Sequence, residues 1–198
     1  MGKTLEFFYD VVSPASYLAF TQLPKLIDET GAELIYRPFF LPGVFEKAGS
    51  NSPIFIENKR KWVFDDFNRF AKRYGVPLVM NDRFPQSSVY AMRGLNNYCD
   101  TPHIEKLTEG FFDASWVSNL DFHDPAVVKS IVEAAGIDPE EYADKLNDPA
   151  NKQALLDVTD EAVSRGVFGA PTFFISDTMH WGQDRLDFVV HREEFIVC

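Results

Sequence analysis

Phe7-Phe8-Tyr9-Asp10-Val11-Val12-Ser13-Pro14-Ala15-Ser16, read together with Gly169-Ala170-Pro171-Thr172 near the other end of the chain, decides the fold. An apolar run passes directly into a helix start. Ser13 is a good N-cap, and Pro14 suits the first helical position, where the missing N–H removes no bond. The first-turn N–H groups of that helix have no partner further back, and the aligned peptide dipoles add partial positive charge. Ser13 therefore sits where an anion is stabilised, a thiolate included.

Outward from this point, 5–9 reads as a buried strand and 14–29 as a helix with Tyr17, Phe20, Leu23 and Ile27 inward. Pro24 is expected to kink that helix and Gly31 to close it. The alternation over 33–37 predicts a second strand, giving a right-handed strand–helix–strand unit. Phe39-Phe40-Leu41-Pro42-Gly43 ends it and is the expected exit into an insertion. From 59 to 136 the pattern is helical, with Val63, Phe67, Phe70 and Tyr74 spaced by four, three and four before Gly75. Further helices are expected over 87–98, 102–112 and 125–135, and Asp138-Pro139 and Asp148-Pro149 each pair a cap with a first-turn proline. A long helix over 151–165 turns Leu155, Thr159 and Ala162 toward the sheet. A hairpin of 172–176 and 179–181 around Asp177-Thr178 follows, and Asp184 is expected to cap a last helix ending near His191. The organisation read from this is one discontinuous α/β domain, 1–43 and 149–198, carrying an all-helical insertion, 44–148.

A length of 198 residues fits that plan, since domains hold about 100–200 residues. Nineteen phenylalanines supply an aromatic core, and some are expected to line a cleft. A net charge of −11 excludes a general nucleic-acid binder, which needs basic surface to neutralise phosphate. Lys59-Arg60-Lys61 and Lys72-Arg73 read as solvated helix faces, one of them available to an anionic ligand. Cys99 and Cys198 form no Cys-x-x-Cys and no disulfide framework. The chain enters a strand at once and has no apolar run near the roughly 18–20 residues of a membrane span, so a soluble, cytoplasmic setting is expected. His103, His123, His180 and His191 lack metal-ligand spacing. Asp65-Asp66 and Glu140-Glu141 read as polar helix faces. There is no Gly-rich phosphate loop and no Gly-x-Ser-x-Gly elbow.

Strand, turn with a reactive residue, helix, long insertion and a Gly-x-Pro-Thr before a further strand resemble a thioredoxin fold of the DsbA kind. In that fold the helix start carries Cys-x-x-Cys, where this chain has Ser13-Pro14-Ala15-Ser16. The Tyr-Asp-x-x-Ser-Pro-x-Ser entry and the closing Trp181-Gly182-Gln183-Asp184-Arg185 are similar to 2-hydroxychromene-2-carboxylate isomerases and kappa-class glutathione transferases. In that group a serine replaces the redox cysteine and the sulfur arrives with glutathione. The resemblance runs over roughly 5–189.

The resemblance implies a catalytic Ser13 and a glutathione site of Ser13, Pro14, Ala15, Asn51, Lys59, Ala170, Pro171, Gln183 and Asp184. Pro171 falls where the fold places a cis-proline, leaving Ala170 N–H and C=O to pair with an extended peptide. Asp184 and Gln183 would hold the amino end of the γ-glutamyl arm, although Gln183 is longer than the residue usual there. Asn51, in Gly49-Ser50-Asn51-Ser52-Pro53, stands one residue out of the family spacing, and Lys59 matches a family lysine. Trp181 would wall a substrate pocket, with Tyr17, Arg37 and Phe40 as further candidates. The function expected is glutathione-dependent isomerisation of a small aromatic or unsaturated carboxylate, by thiolate addition and elimination, in a homodimer. A kappa-like transferase, a DsbA-like thiol oxidoreductase and a non-catalytic binding module are the alternatives.

Overall fold

The central strand β1 (Thr4–Tyr9) buries apolar side chains on both faces, the pattern of a strand covered on both sides. Leu5, Phe7 and Tyr9 enter one core, and Phe8 enters a second. A computed structural model describes residues 4–190. In it β1 pairs in parallel with β2 (Glu33–Pro38) and antiparallel with β3 (Thr172–Ile175), which pairs antiparallel with β4 (Thr178–Trp181). The sheet order is β2-β1-β3-β4. The hairpin turn is Ser176-Asp177, one residue earlier than expected, with Ser176 at φ 51°.

The helix expected over 14–29 is two helices, α1 (Pro14–Phe20) and α2 (Leu23–Thr30). Pro24 has no N–H to offer the preceding turn, so it sits in the first turn of α2 instead of kinking a continuous helix. The Thr21 hydroxyl donates to the Leu18 carbonyl at 2.7 Å where α1 ends. Gly31 closes α2 in the left-handed conformation.

The next helices are α3 (Leu41–Lys47), α4 (Glu57–Tyr74), α5 (Val89–Asn97), α6 (Ile104–Trp116), α7 (Pro125–Ala134) and α8 (Pro139–Asn147), followed by α9 (Pro149–Ser164). Asp124, Asp138 and Asp148 cap α7, α8 and α9 with their carboxylates, each followed by proline. Val44, where the insertion is expected to begin, lies within α3 and packs with Phe8, Phe39, Ala162 and Phe174 against the α9 face of the sheet. Buried residues of α4 to α8, among them Ala71, Met92, Leu107, Phe111, Val132 and Tyr142, join the core of Leu5, Phe7 and Tyr9 on the α1 face. Phe112 stands 5.9 Å from both Tyr9 and Tyr17, and Trp116 is fully buried with its indole N–H donating to Val11 O at 2.8 Å. Burying each such ring is worth about 1.5–3 kcal/mol, so the insertion and the sheet share one core. That core reaches the loop carrying Ser13.

Asp184 does not cap the last helix. Gly182, at φ 100°, opens a 3-10 turn over Gln183–Arg185 that leads into α10 (Leu186–Val190), and the Asp184 carboxylate pairs with Arg185 at 3.1 Å. The expected end near His191, and Cys198, lie outside the described residues. Among the described residues no helix is long and apolar enough to cross a membrane.

Candidate active site

Ser13 caps α1 as its sequence predicts, with its backbone extended and its Oγ accepting from Ser16 N–H at 3.1 Å. The same hydroxyl donates to the Ala170 carbonyl at 3.3 Å, across 157 residues of chain. Ser13 is 6% exposed, so this contact lies just beneath the surface. The Ala170–Pro171 peptide is cis. The corner therefore joins a hydroxyl, a helix start and a strand-like backbone. One turn along, Ser16 Oγ is fully buried and has no hydrogen-bond partner, which is unusual for a buried polar atom.

A second wall follows from the register of β3 with β4, which sets Trp181 opposite Thr172. Gly182 N–H donates to Pro171 O at 3.0 Å, bringing the Gln183–Arg185 turn beside the cis-proline and against α1. Gln183 is 4% exposed, and Tyr74 Oη at the end of α4 faces its carbonyl at 2.9 Å and its side-chain oxygen at 3.0 Å. Burial, then the nearby Asp184 carboxylate, pushes the Tyr74 hydroxyl up to about 12, so it stays a donor. Asp184 remains exposed at the rim of a groove shared with Lys25, Arg73 and Tyr74. Gly182 is required here: a Cβ would lie 2.6 Å from Asp184 Oδ1 at a backbone angle L residues rarely adopt. Trp181 is 44% exposed and tilts against Phe168 at 5.1 Å. Gly169 lets its indole close in, since a Cβ there would lie 2.7 Å from Nε1.

The structure thus brings Ser13, Pro14, Ala15, Ala170, Pro171, Gln183, Asp184 and Trp181 into one region. Others stand apart or are already engaged. Tyr17 is core, its hydroxyl donating to Pro77 O at 2.7 Å. Arg37 lies on the α9 face, where its guanidinium pairs with Glu161 and faces Glu6 at 3.6 Å. Phe40 is half-buried at the start of α3, its N–H donating to Thr159 Oγ1 at 3.1 Å. Asn51 and Lys59 are exposed, and among the described residues neither bonds to the Ser13 corner. Cys99 follows α5, its thiol pushed up by burial and then by Asp100.

Two partners escaped the sequence reading. Asp10 is 0% exposed, and its carboxylate accepts from Val12 N–H, Leu41 N–H and the Ser88 hydroxyl. Burial pushes its carboxyl up to about 6, against the opposing effect of those bonds. Tyr74, read only as part of a helical stripe, holds Gln183. The sole local signal was an acid just before the helix start; the partners lie 31, 78 and 109 residues away.

Known proteins share this fold. The chain matches the DSBA-like thioredoxin domain over residues 4–192. It is 34% identical to a 2-hydroxychromene-2-carboxylate isomerase of Sphingobium xenophagum, over 96% of this chain and 97% of that one. It is 26% identical to glutathione S-transferase kappa 1 of Homo sapiens, over 96% and 91%. A solved 2-hydroxychromene-2-carboxylate isomerase aligns with a TM-score of 0.83 at 28% identity, over 94% of this chain and 92% of that one. A probable DsbA oxidoreductase from Streptomyces coelicolor, at 19% identity and a TM-score of 0.76 over 95% and 87%, shares the fold alone. The expected α/β thioredoxin fold with a DsbA-like helical insertion is the fold of this chain, which belongs to the 2-hydroxychromene-2-carboxylate isomerase and kappa-class glutathione transferase family.

Proposed function

We propose that this protein is a glutathione-dependent isomerase of the 2-hydroxychromene-2-carboxylate type, acting on an aromatic or unsaturated carboxylate. One observation carries the reading: Ser13, at the strand–helix corner, faces Ala170 across the fold, and the Ser13-Pro14-Ala15-Ser16 turn supplies no sulfur of its own. The corner fits a thiol-bearing peptide. It has a hydroxyl that can turn, the first-turn Ala15 N–H, an orphaned buried hydroxyl at Ser16 and the backbone of Ala170.

When bound, glutathione supplies a thiolate that adds to a conjugated carbon and leaves again once the former double bond has rotated. Ser13 keeps its proton and donates it as a hydrogen bond, turning from Ala170 O to the sulfur while still accepting from Ser16 N–H. That donor and the helix start draw a thiol below its free pKa of about 8.5. Ala170 pairs with the tripeptide backbone, beside Pro14, Ala15 and Pro171. Asp184 takes the ammonium end, and buried Gln183, held by Tyr74, fixes the turn from which Asp184 projects. Asn51 and exposed Lys59 are assigned to the far amide and carboxylate. Trp181, next to Phe168, gives an apolar wall to an aromatic substrate, and the 44–148 insertion closes the pocket against water. We extend the proposal to a homodimer in the cytoplasm.

A second reading, conjugation of electrophiles, is favoured by the similarity to kappa-class transferases. Incubation with glutathione and a 2-hydroxychromene-2-carboxylate separates the two. Isomerised product with free thiol unchanged supports the isomerase, stoichiometric loss of thiol supports the transferase, and no turnover contradicts both.

A further inference from the structure

We infer that Asp10 is a positioning residue for the Ser13 corner: its buried carboxylate clamps the loop that carries Ser13 to the starts of α3 and α5. The inference rests on the role proposed for Ser13 and adds a group remote from the ligand. Three donors from three segments converge on the two oxygens. Val12 N–H reaches Oδ1 at 3.0 Å, while Leu41 N–H at 2.9 Å and the Ser88 hydroxyl at 2.8 Å reach Oδ2. The Asp10 carbonyl in turn accepts from Ser13 N–H at 3.0 Å, so one residue holds the Ser13 backbone and ties it to the rest of the molecule. Between them, Val11 N–H points at Met92 Sδ at 3.4 Å and Val11 O accepts from Trp116.

Two features separate this clamp from ordinary packing. A fully buried carboxylate is costly unless its lone pairs are filled, and none of the ion pairs among the described residues includes Asp10. Ser88, moreover, stands at the N-cap of α5 without capping it; its hydroxyl goes to Asp10 instead. An amide cannot replace the acid, because its NH2 would face either Val12 N–H or Leu41 N–H and leave that buried donor unpaired. Catalytic geometry is sensitive to displacements of an ångström, and this loop sets where the Ser13 hydroxyl points.

The test compares Asp10→Asn and Ser88→Ala with the parent protein, reading the ultraviolet thiolate absorbance of bound glutathione against pH, kcat, and the affinity for S-methylglutathione. Both variants are expected to lose thiolate at neutral pH and to lower kcat on the order of tenfold, with S-methylglutathione affinity unchanged. Ser88→Ala leaves the acid in place and strands no backbone donor, so it decides the matter if Asp10→Asn does not fold. Variants that melt earlier yet keep the parent's thiolate profile and kcat would reduce Asp10 to a structural link and overturn the inference. A gain of thiolate in Asp10→Asn would mean that its charge, not its bonds, is felt at the sulfur, and would overturn it too. A parent that binds glutathione without forming thiolate would instead remove the proposed function, and this inference with it.

Discussion

The two faces of the sheet carry polar side chains of opposite character. On the α9 face Glu6, Arg37, Glu161 and Arg165 pair among themselves, with Arg165 stacked 3.8 Å over Phe174. At the α1 end Ser13 spends its one proton on a 3.3 Å contact, and Ser16 Oγ has no partner. The first group is matched by opposite charge, although Arg37 Nε stays 3.6 Å from Glu6 without a hydrogen bond, whereas the second is uncharged and holds a hydroxyl that can turn. Charge density alone points to the α9 face, whereas the proposed chemistry uses the uncharged corner.

Removing the hydroxyl at the uncharged corner has the largest expected effect. Ser13→Ala loses a hydrogen bond to a charged sulfur, about 1.5–3 kcal/mol, so thiolate formation and turnover fall about ten- to a hundredfold. Parent-like turnover would erase the contrast between the faces.

The buried acid beneath that corner sharpens it through pH. The Asp10 carboxyl is raised from 3.8 to about 6 by burial, so the folded state binds its proton more tightly than the unfolded chain does. The stability it contributes is fully present below about pH 4 and is lost as pH rises through about 6, on the order of 3 kcal/mol in all. In urea unfolding, the parent's stability relative to Asp10→Asn should therefore be greater at pH 4 than at pH 7; a flat difference contradicts the burial argument.

Asp184→Ala is expected to weaken glutathione binding about two- to fivefold, the worth of an exposed ion pair, with little change in kcat, as initial-rate kinetics would show. Arg37→Ala should do least. It breaks a salt-bridge network on the α9 face and leaves kcat/KM unchanged, and a large loss would return Arg37 to the substrate pocket.

Much of this was legible from sequence wherever the cause was local. Ser13-Pro14, Asp138-Pro139 and Asp148-Pro149 begin helices where their side-chain chemistry dictates, and Gly31 and Gly75 end them. The single helix over 14–29 failed because the proline at 24 is tolerated in a first turn and not in an interior, a choice settled where Thr21 bonds back to Leu18. Asp184 looked like a cap, yet Gly182 starts the turn earlier and Arg185 takes the carboxylate. Arg37 resembled a pocket residue because nothing in its neighbourhood announces Glu161, 124 residues away. The Asp10 clamp was hidden for the same reason: its partners come together only after the insertion has packed.

The central claim is that the protein cradles a borrowed sulfur at the Ser13 corner, and calorimetric titration with glutathione and then with S-methylglutathione tests it most directly. The account predicts that glutathione binds and that the S-methyl form, unable to become a thiolate, binds more weakly. Absence of glutathione binding, or equal affinity for the two, would contradict it.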